Sequence, residues 1–122
     1  MAPRHITATT LDGVVCIRLK HSRLEETEIH QLGEEILAAC AEPGSRLALS
    51  LGPETPYCLY SVFLAKLVAI RNALARHGGT MVLCEVGPNA YSTFEACHLK
   101  QEFIFVKDFA AAVAHFAAQA RG

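Results

Sequence analysis

The sequence has 122 residues, of which 52% are hydrophobic, and its 11 basic and 12 acidic residues give a formal net charge of -1. This composition predicts one folded domain, residues 1–122, because a disordered chain would carry fewer apolar and more charged residues. It lacks the basic excess of nucleic-acid-binding proteins, and no apolar stretch approaches the ~20 residues needed to cross a bilayer. With no secretory signal visible either, we expect a cytoplasmic protein without nucleic-acid or membrane partners.

The first predicted elements are a β-hairpin and an amphipathic helix. Residues 6–10 and 13–20 are strand-like and flank the turn signal Leu11-Asp12-Gly13. Ser22-Arg23-Leu24-Glu25 then fits a capping box, which predicts a helix that begins there and ends before Pro43-Gly44. Its apolar residues recur at helical spacing, and its acidic outer face is read as solvated.

The middle of the chain predicts a strand, a loop and a second helix. Residues 46–51 form the strand, and the prolines that follow require a loop. A second helix is predicted over residues 61–77, ending at Gly78-Gly79, because apolar residues recur there every three to four positions. Residues 80–86 give the clearest strand signal.

The last predicted elements are a short helix beginning near Pro88, a strand at residues 104–107, and a final helix capped by Asp108. The order β-β-α-β-α-β-α-β-α indicates an α/β fold with one mixed, mostly parallel sheet flanked by about four helices. One common core is predicted to contain Leu49, Leu51, Leu67, Ile70, Val82 and Leu83.

The five cysteines are scattered singly, without the paired spacing of zinc or redox sites, and are read as reduced, buried thiols. No histidine is placed beside a cysteine and a carboxylate, so the sequence predicts no catalytic residues, no metal and no cofactor. Cys58 lies at a loop-to-helix junction, where a helix N-terminus can stabilise a thiolate. A small cysteine-dependent enzyme is therefore kept as the alternative from another functional class.

Ser61 lies where the proline-containing loop becomes the second helix, and from spacing alone it is read as a helix cap. The charged residues of this helix are Lys66, Arg71 and Arg76, which we interpret as a basic face that would attract an acidic partner surface.

Two stretches carry a family likeness. Leu47-Ala48-Leu49-Ser50-Leu51, the loop, and the segment from Leu59 to Leu67 resemble the strand, loop and helix start of STAS domains. The stretch from Gly78 through Gly87-Pro88 to Phe105 resembles the rest of such a domain, in the same order. The likeness covers residues 13–116, nearly the whole chain, and it rests on order and length more than on any single motif.

The resemblance implies an anti-sigma factor antagonist that binds an anti-sigma factor serine kinase of the GHKL type, or another protein of such a pathway. In that family a serine at the start of the second helix is phosphorylated, and Ser61 falls on that position. The usual Asp-Ser-Ser-Gly motif is replaced here, with Tyr60, Val62 and Phe63 around Ser61.

The resemblance and the apolar loop together place partner binding on a defined set of residues: Tyr57, Cys58, Leu59, Tyr60, Ser61, Val62 and Lys66. Two alternatives within the same fold stay open at this point, a phosphorylation-silent scaffold and a sensory or ligand-binding module. A homodimer is likewise left open.

Overall fold

The computed structural model describes residues 4–20, 24–52 and 61–121. The elements are β1 (Ile6–Leu11), β2 (Val14–Leu19), α1 (Glu26–Ala39), β3 (Arg46–Ser50), α2 (Ser61–Arg76), β4 (Thr80–Cys84), α3 (Pro88–Ala96), β5 (Ile104–Val106) and α4 (Phe109–Arg121). Their order is the predicted one. No helix within the described ranges is both long and apolar enough to cross a membrane.

The five strands form one sheet in the order β1-β2-β3-β4-β5. The β1–β2 pair is antiparallel and the other three pairs are parallel. Since successive side chains of a strand point to opposite faces, β3 supplies Leu47 and Leu49 to one face and Ala48 to the other. Helices α1 and α2 pack on the first face, and α4 covers the second.

The predicted core is confirmed except at one position. Leu49, Leu51, Leu67, Ile70 and Leu83 are buried in one cluster. Val82 is also fully buried, but it belongs to the cluster under α4 with Ala112 and Phe116. Val82 and Leu83 are adjacent in β4 and so must face opposite sides of the sheet.

The opening hairpin turns through Asp12 and Gly13, both with positive φ (49° and 80°). This is the geometry that a two-residue hairpin turn needs, and Asp-Gly is among the sequences that adopt it most readily.

Helix α1 begins later than the sequence predicted. Its N-cap is Glu25, and a reciprocal capping box joins Glu25 and Glu28, whose carboxylate accepts from the Glu25 N–H at 3.1 Å. Ser22 and Arg23 of the predicted box lie outside the described residues. The final helix begins as predicted, because the Asp108 carboxylate accepts the Ala111 N–H at 2.8 Å.

Candidate functional site

The predicted site lies at the carboxyl edge of the sheet, where β3 ends at Ser50 and α2 begins at Ser61. Tyr57, Cys58, Leu59 and Tyr60 lie outside the described residues, as does the side chain of Ser61. Ser61 is the first residue of α2, as the helical spacing predicted.

The two other predicted contact residues are both half-buried in the domain. Val62 packs against the main core, which gives its side chain a structural role. The stem of Lys66 lies on α1, so close that a Cβ added to Gly33 would come within 2.6 Å of the Lys66 Cδ. Because Gly33 has no side chain, the stem of Lys66 can pack across α1 at this position.

The predicted basic face on α2 is wrong. Lys66, Arg71 and Arg76 are spaced five residues apart, and each step of five turns the side chain by about 140° around a helix of 3.6 residues per turn. Lys66 accordingly points towards α1, whereas Arg71 forms an ion pair with Glu102 at 2.8 Å. The basic side chains point in different directions and form no common surface.

The solvent-facing side of α2 is instead small and uncharged over its first three turns, and Arg76 is exposed on the same side in the last turn. Ala65, Ala69 and Asn72 are exposed there, and they lie on the side that follows Ser61 at helical spacing. The first turn carries no acidic residue. The partial positive charge of the helix N-terminus therefore has no acidic side chain of that turn to compensate it.

A polar cluster lies at the same edge of the sheet, on the α4 side, where β2, β3 and β4 end. The fully buried Ser50 donates its hydroxyl to Glu85 Oε1 at 2.6 Å, and Arg18 Nη1 lies 2.6 Å from the same oxygen. The Arg18 guanidinium also lies 4.7 Å from the centre of the Phe109 ring. Hydrogen bonds and opposite charge thus satisfy the polar groups at this edge.

The sequence analysis did not find this cluster. Its members are far apart in the chain, and only the parallel register, which pairs Arg18 with Ser50 and Ser50 with Cys84, brings them together. The sequence feature that could have indicated the cluster is the presence of polar residues at the ends of strands that are otherwise apolar.

The backbone leaves β3 through a tight contact. A Cβ on Gly52 would lie 2.5 Å from the Glu85 carbonyl oxygen, so only glycine fits there without displacing backbone. Glu85 itself has a positive φ of 54°, which ends β4 at Cys84, two residues before the predicted end of that strand. Gly52 thereby allows the end of β3 to pack closely against the end of β4.

The described thiols differ in exposure. Cys16, Cys40 and Cys84 are buried as predicted, whereas the predicted burial of Cys97 is wrong, because this thiol is exposed at the end of α3. Burial raises the pKa of Cys40 to about 11 and that of Cys84 to about 12. These two thiols stay protonated at neutral pH and are poor nucleophiles. Cys58, the predicted candidate nucleophile, lies outside the described part of the chain.

The described residues hold no group of three or more His, Cys, Asp or Glu side chains arranged to bind a metal ion. A groove of about 560 Å³ lies at the opposite, amino edge of the sheet, lined by polar residues that include Thr10, Glu42 and Arg46. This groove is separated from the Ser61 end of the sheet by the length of the strands.

No family model matches the chain, and no curated protein matches it. Solved structures do. The anti-sigma-factor antagonist (STAS) domain protein from Planctomyces limnophilus superimposes with a TM-score of 0.78 at 23% identity, covering 92% of this chain and 97% of that one. The protein TM1081 gives a TM-score of 0.72 at 16% identity, covering 88% and 84% of the two chains.

The Bacillus cell fate determinant SpoIIAA in its phosphorylated form gives a TM-score of 0.62 at 16% identity, covering 87% of this chain and 95% of that one. The strand order, the mixed sheet and the four helices of the described chain agree with these similarities. The fold expected from the resemblance is thus confirmed, and this chain has the fold of a STAS domain.

Proposed function

We propose that this protein is an anti-sigma factor antagonist that works by binding a serine kinase of the GHKL type, and that phosphorylation of Ser61 controls the binding. The observation that carries the proposal is the position of Ser61 as the first residue of α2, at the carboxyl edge of a fold shared with phosphorylated SpoIIAA. We further propose that the protein acts in the cytoplasm and catalyses no reaction of its own.

The proposed docking surface joins the segment before α2 to the exposed side of that helix. Ala65 and Ala69 make the N-terminal part of this side of α2 small and uncharged, so a partner can approach the helix backbone closely there. Such a surface gains affinity from close packing more than from charge attraction. Lys66 lies at its border, with its stem held against α1.

A phosphate on Ser61 would affect the fold and the interface in opposite ways. It adds about -1.5 to -2 charges at neutral pH, and negative charge is favourable at the N-terminus of a helix. The domain should therefore stay folded. The same charge would have to be desolvated under a closely packed partner, so docking should be lost.

Affinity capture from the native lysate tests the proposal, with wild type, Ser61→Ala and Ser61→Asp as baits. The matched control is Ala110→Asp, which places the same carboxylate in the first turn of α4, at an exposed position on the other face of the sheet. We expect wild type, Ser61→Ala and Ala110→Asp to retain an ATPase-kinase and Ser61→Asp to lose it. Calorimetric titration against the recovered partner then measures the loss, and circular dichroism checks folding.

One observation favours a second candidate, the phosphorylation-silent scaffold. Val62 packs against the core and Phe63 is fully buried, so the two residues after Ser61 serve packing. The scaffold becomes the better proposal if Ser61→Asp is folded and binds as tightly as wild type. Recovery of metabolic enzymes alone would count against both candidates.

A further inference from the structure

Strand β1 is an edge strand of the sheet that the described residues form. It pairs with β2 on one side, and no described strand lies on its other side. From Thr7 to Leu11 every residue is exposed, and Leu11 is 46% exposed. The strand contains no charged residue and no proline, which are the features that usually keep an edge strand from pairing with another chain.

The hairpin fixes which backbone groups of β1 point outwards. In a two-residue hairpin the residues that flank the turn, here Leu11 and Val14, exchange hydrogen bonds, and bonded pairs then alternate along the ladder. Consistent with this alternation, the Lys20 N–H donates to the His5 carbonyl at 2.8 Å. The odd-numbered residues of β1 therefore bond to β2, and the N–H and C=O groups of Ile6, Ala8 and Thr10 point away from the sheet.

We propose that a second copy of this chain pairs with β1 through these outward groups, in an antiparallel arrangement about a twofold axis at Ala8. Ala8 then opposes Ala8 of the second copy, and Ile6 opposes Thr10, as hydrogen-bonded pairs. Thr7 opposes Thr9 between them, a cross-strand pair of a kind that stabilises sheets. The two sheets become one continuous sheet across the dimer.

Charge favours this register. With Ala8 opposite itself, Arg4, which precedes β1, lies near Asp12 in the hairpin turn of the other copy. Both side chains are exposed, and neither forms an ion pair with another residue of the described part of the chain. Shifting the register by two residues still places the outward N–H and C=O groups of the two copies opposite each other. It brings Arg4 opposite Thr10 or Val14, however, so the ion pairs are lost.

The proposed dimer is independent of Ser61. Helix α2 packs on α1 and β4, whereas β1 is the far edge of the sheet beyond β2 and β3. Pairing through β1 therefore leaves the exposed side of α2 free, and failure of either proposal does not affect the other.

Sedimentation equilibrium of the full chain tests the dimer, with Ala8→Pro as the disrupting variant. Proline removes only an outward N–H at this position, so the β1–β2 ladder is kept. The matched control is Ala8→Val, which changes the side chain but keeps the N–H. We expect wild type and Ala8→Val to dimerise, and Ala8→Pro to raise the dissociation constant by roughly tenfold or more, because both hydrogen bonds of the central pair are lost.

Disulfide formation tests the register and does not depend on the proline variant. In a Cys58→Ser, Cys97→Ser background, a mixture of Thr7→Cys and Thr9→Cys proteins should give the crossed disulfide, while each alone gives little. The proposal is overturned by a wild type that is monomeric up to roughly 1 mM, by a folded Ala8→Pro protein that dimerises normally, or by Thr7→Cys or Thr9→Cys cross-linking efficiently to itself.

Discussion

Two glycines at close contacts differ in what blocks a side chain. At Gly52 the obstacle is backbone, since a Cβ would lie 2.5 Å from the Glu85 carbonyl oxygen. At Gly33 the obstacle is the flexible stem of Lys66, at 2.6 Å from its Cδ. The distances are nearly equal, yet only the lysine can move aside without disturbing the fold.

We therefore expect Gly52→Ala to lower the free energy of unfolding by about 1–3 kcal/mol, the usual cost of overpacking. Gly33→Ala serves as the control. It should leave stability unchanged or raise it by up to about 1 kcal/mol, because alanine is the better helix former in the interior of α1. Urea unfolding of both variants checks the pair, and equal losses would show that the Gly52 contact relaxes as easily as the lysine stem.

Glu35 connects α1 to the residues before β1. Its carboxylate accepts the backbone N–H groups of Arg4 and His5 at 3.0 and 2.8 Å. Partial burial acts to raise the pKa of this carboxyl, but the two hydrogen bonds and the charges of His5 and Lys20 together outweigh it, and the pKa lies below its ordinary value of 4.5.

A group whose pKa is lower in the folded state stabilises the protein above its unfolded pKa, and this contribution is lost as the pH falls through the folded pKa. Between about pH 6 and pH 3, wild type should thus lose more stability than Glu35→Gln. Glu34→Gln, at an exposed position beside it, is the matched control and should follow wild type. Thermal unfolding across this range measures the difference, and parallel curves for wild type and Glu35→Gln would contradict the expectation.

Among the elements, α2 depends most clearly on one apolar stripe. Leu67 is 1% exposed and lies in the main core. We expect Leu67→Ala to lower the free energy of unfolding by ~2–5 kcal/mol, the range for a buried leucine whose cavity cannot collapse. Leu11→Ala removes the same atoms from an exposed position and should cost less than about 0.5 kcal/mol. Denaturant unfolding of a dilute sample checks both, and a cost below that level at Leu67 would contradict its placement.

At the scale of elements, the sequence predicted the order of strands and helices because apolar periodicity and turn residues are local signals. The errors arose where the decisive contact is not local. Glu85 ends β4 by adopting a positive φ, although Val86 continues the apolar pattern. The three basic residues of α2 are close in sequence but rotate around the helix, and Arg71 is held by Glu102 from a distant turn.

The sequence predicted where α2 begins but not the polar cluster at the same edge of the sheet. The helix start at Ser61 follows from local spacing, whereas the Arg18–Ser50–Glu85 cluster depends on the register between strands. The register between β2, β3 and β4 can be predicted from a single sequence only once the order of the strands in the sheet is known.

For the whole molecule, the reactivity of the buried thiols reports how often the two buried clusters, one on each face of the sheet, become accessible to solvent. In the native state a thiol reagent should modify Cys97 quickly, while Cys16, Cys40 and Cys84 react only at the rate of unfolding, because they are buried. Cys97→Ser should remove the fast reaction of the described cysteines. Any fast labelling that Cys58→Ser then removes can be assigned to Cys58. Fast labelling that persists in a Cys58→Ser, Cys97→Ser double variant would show that the cores open readily.

The proposed lack of catalysis is tested on wild type and on Cys58→Ala. We expect no turnover of generic ester or nucleotide substrates by wild type, since Cys58 has no identified partner base. Turnover that disappears in Cys58→Ala would contradict this and favour the cysteine-dependent enzyme.

The strand order has a consequence for how the chain folds. Because spatial order equals chain order, every strand pairs with its predecessor in the sequence, and the sheet can grow in one direction as the polypeptide lengthens. The hairpin provides a starting template, and each later strand docks on the edge left by the one before it. Helix α4, which packs across β2, β3, β4 and β5, can close the second face only after all of them are in place. Until then Val14, Ala48 and Val82 remain open to solvent, and exposed apolar surface of this kind favours aggregation of incompletely folded chains.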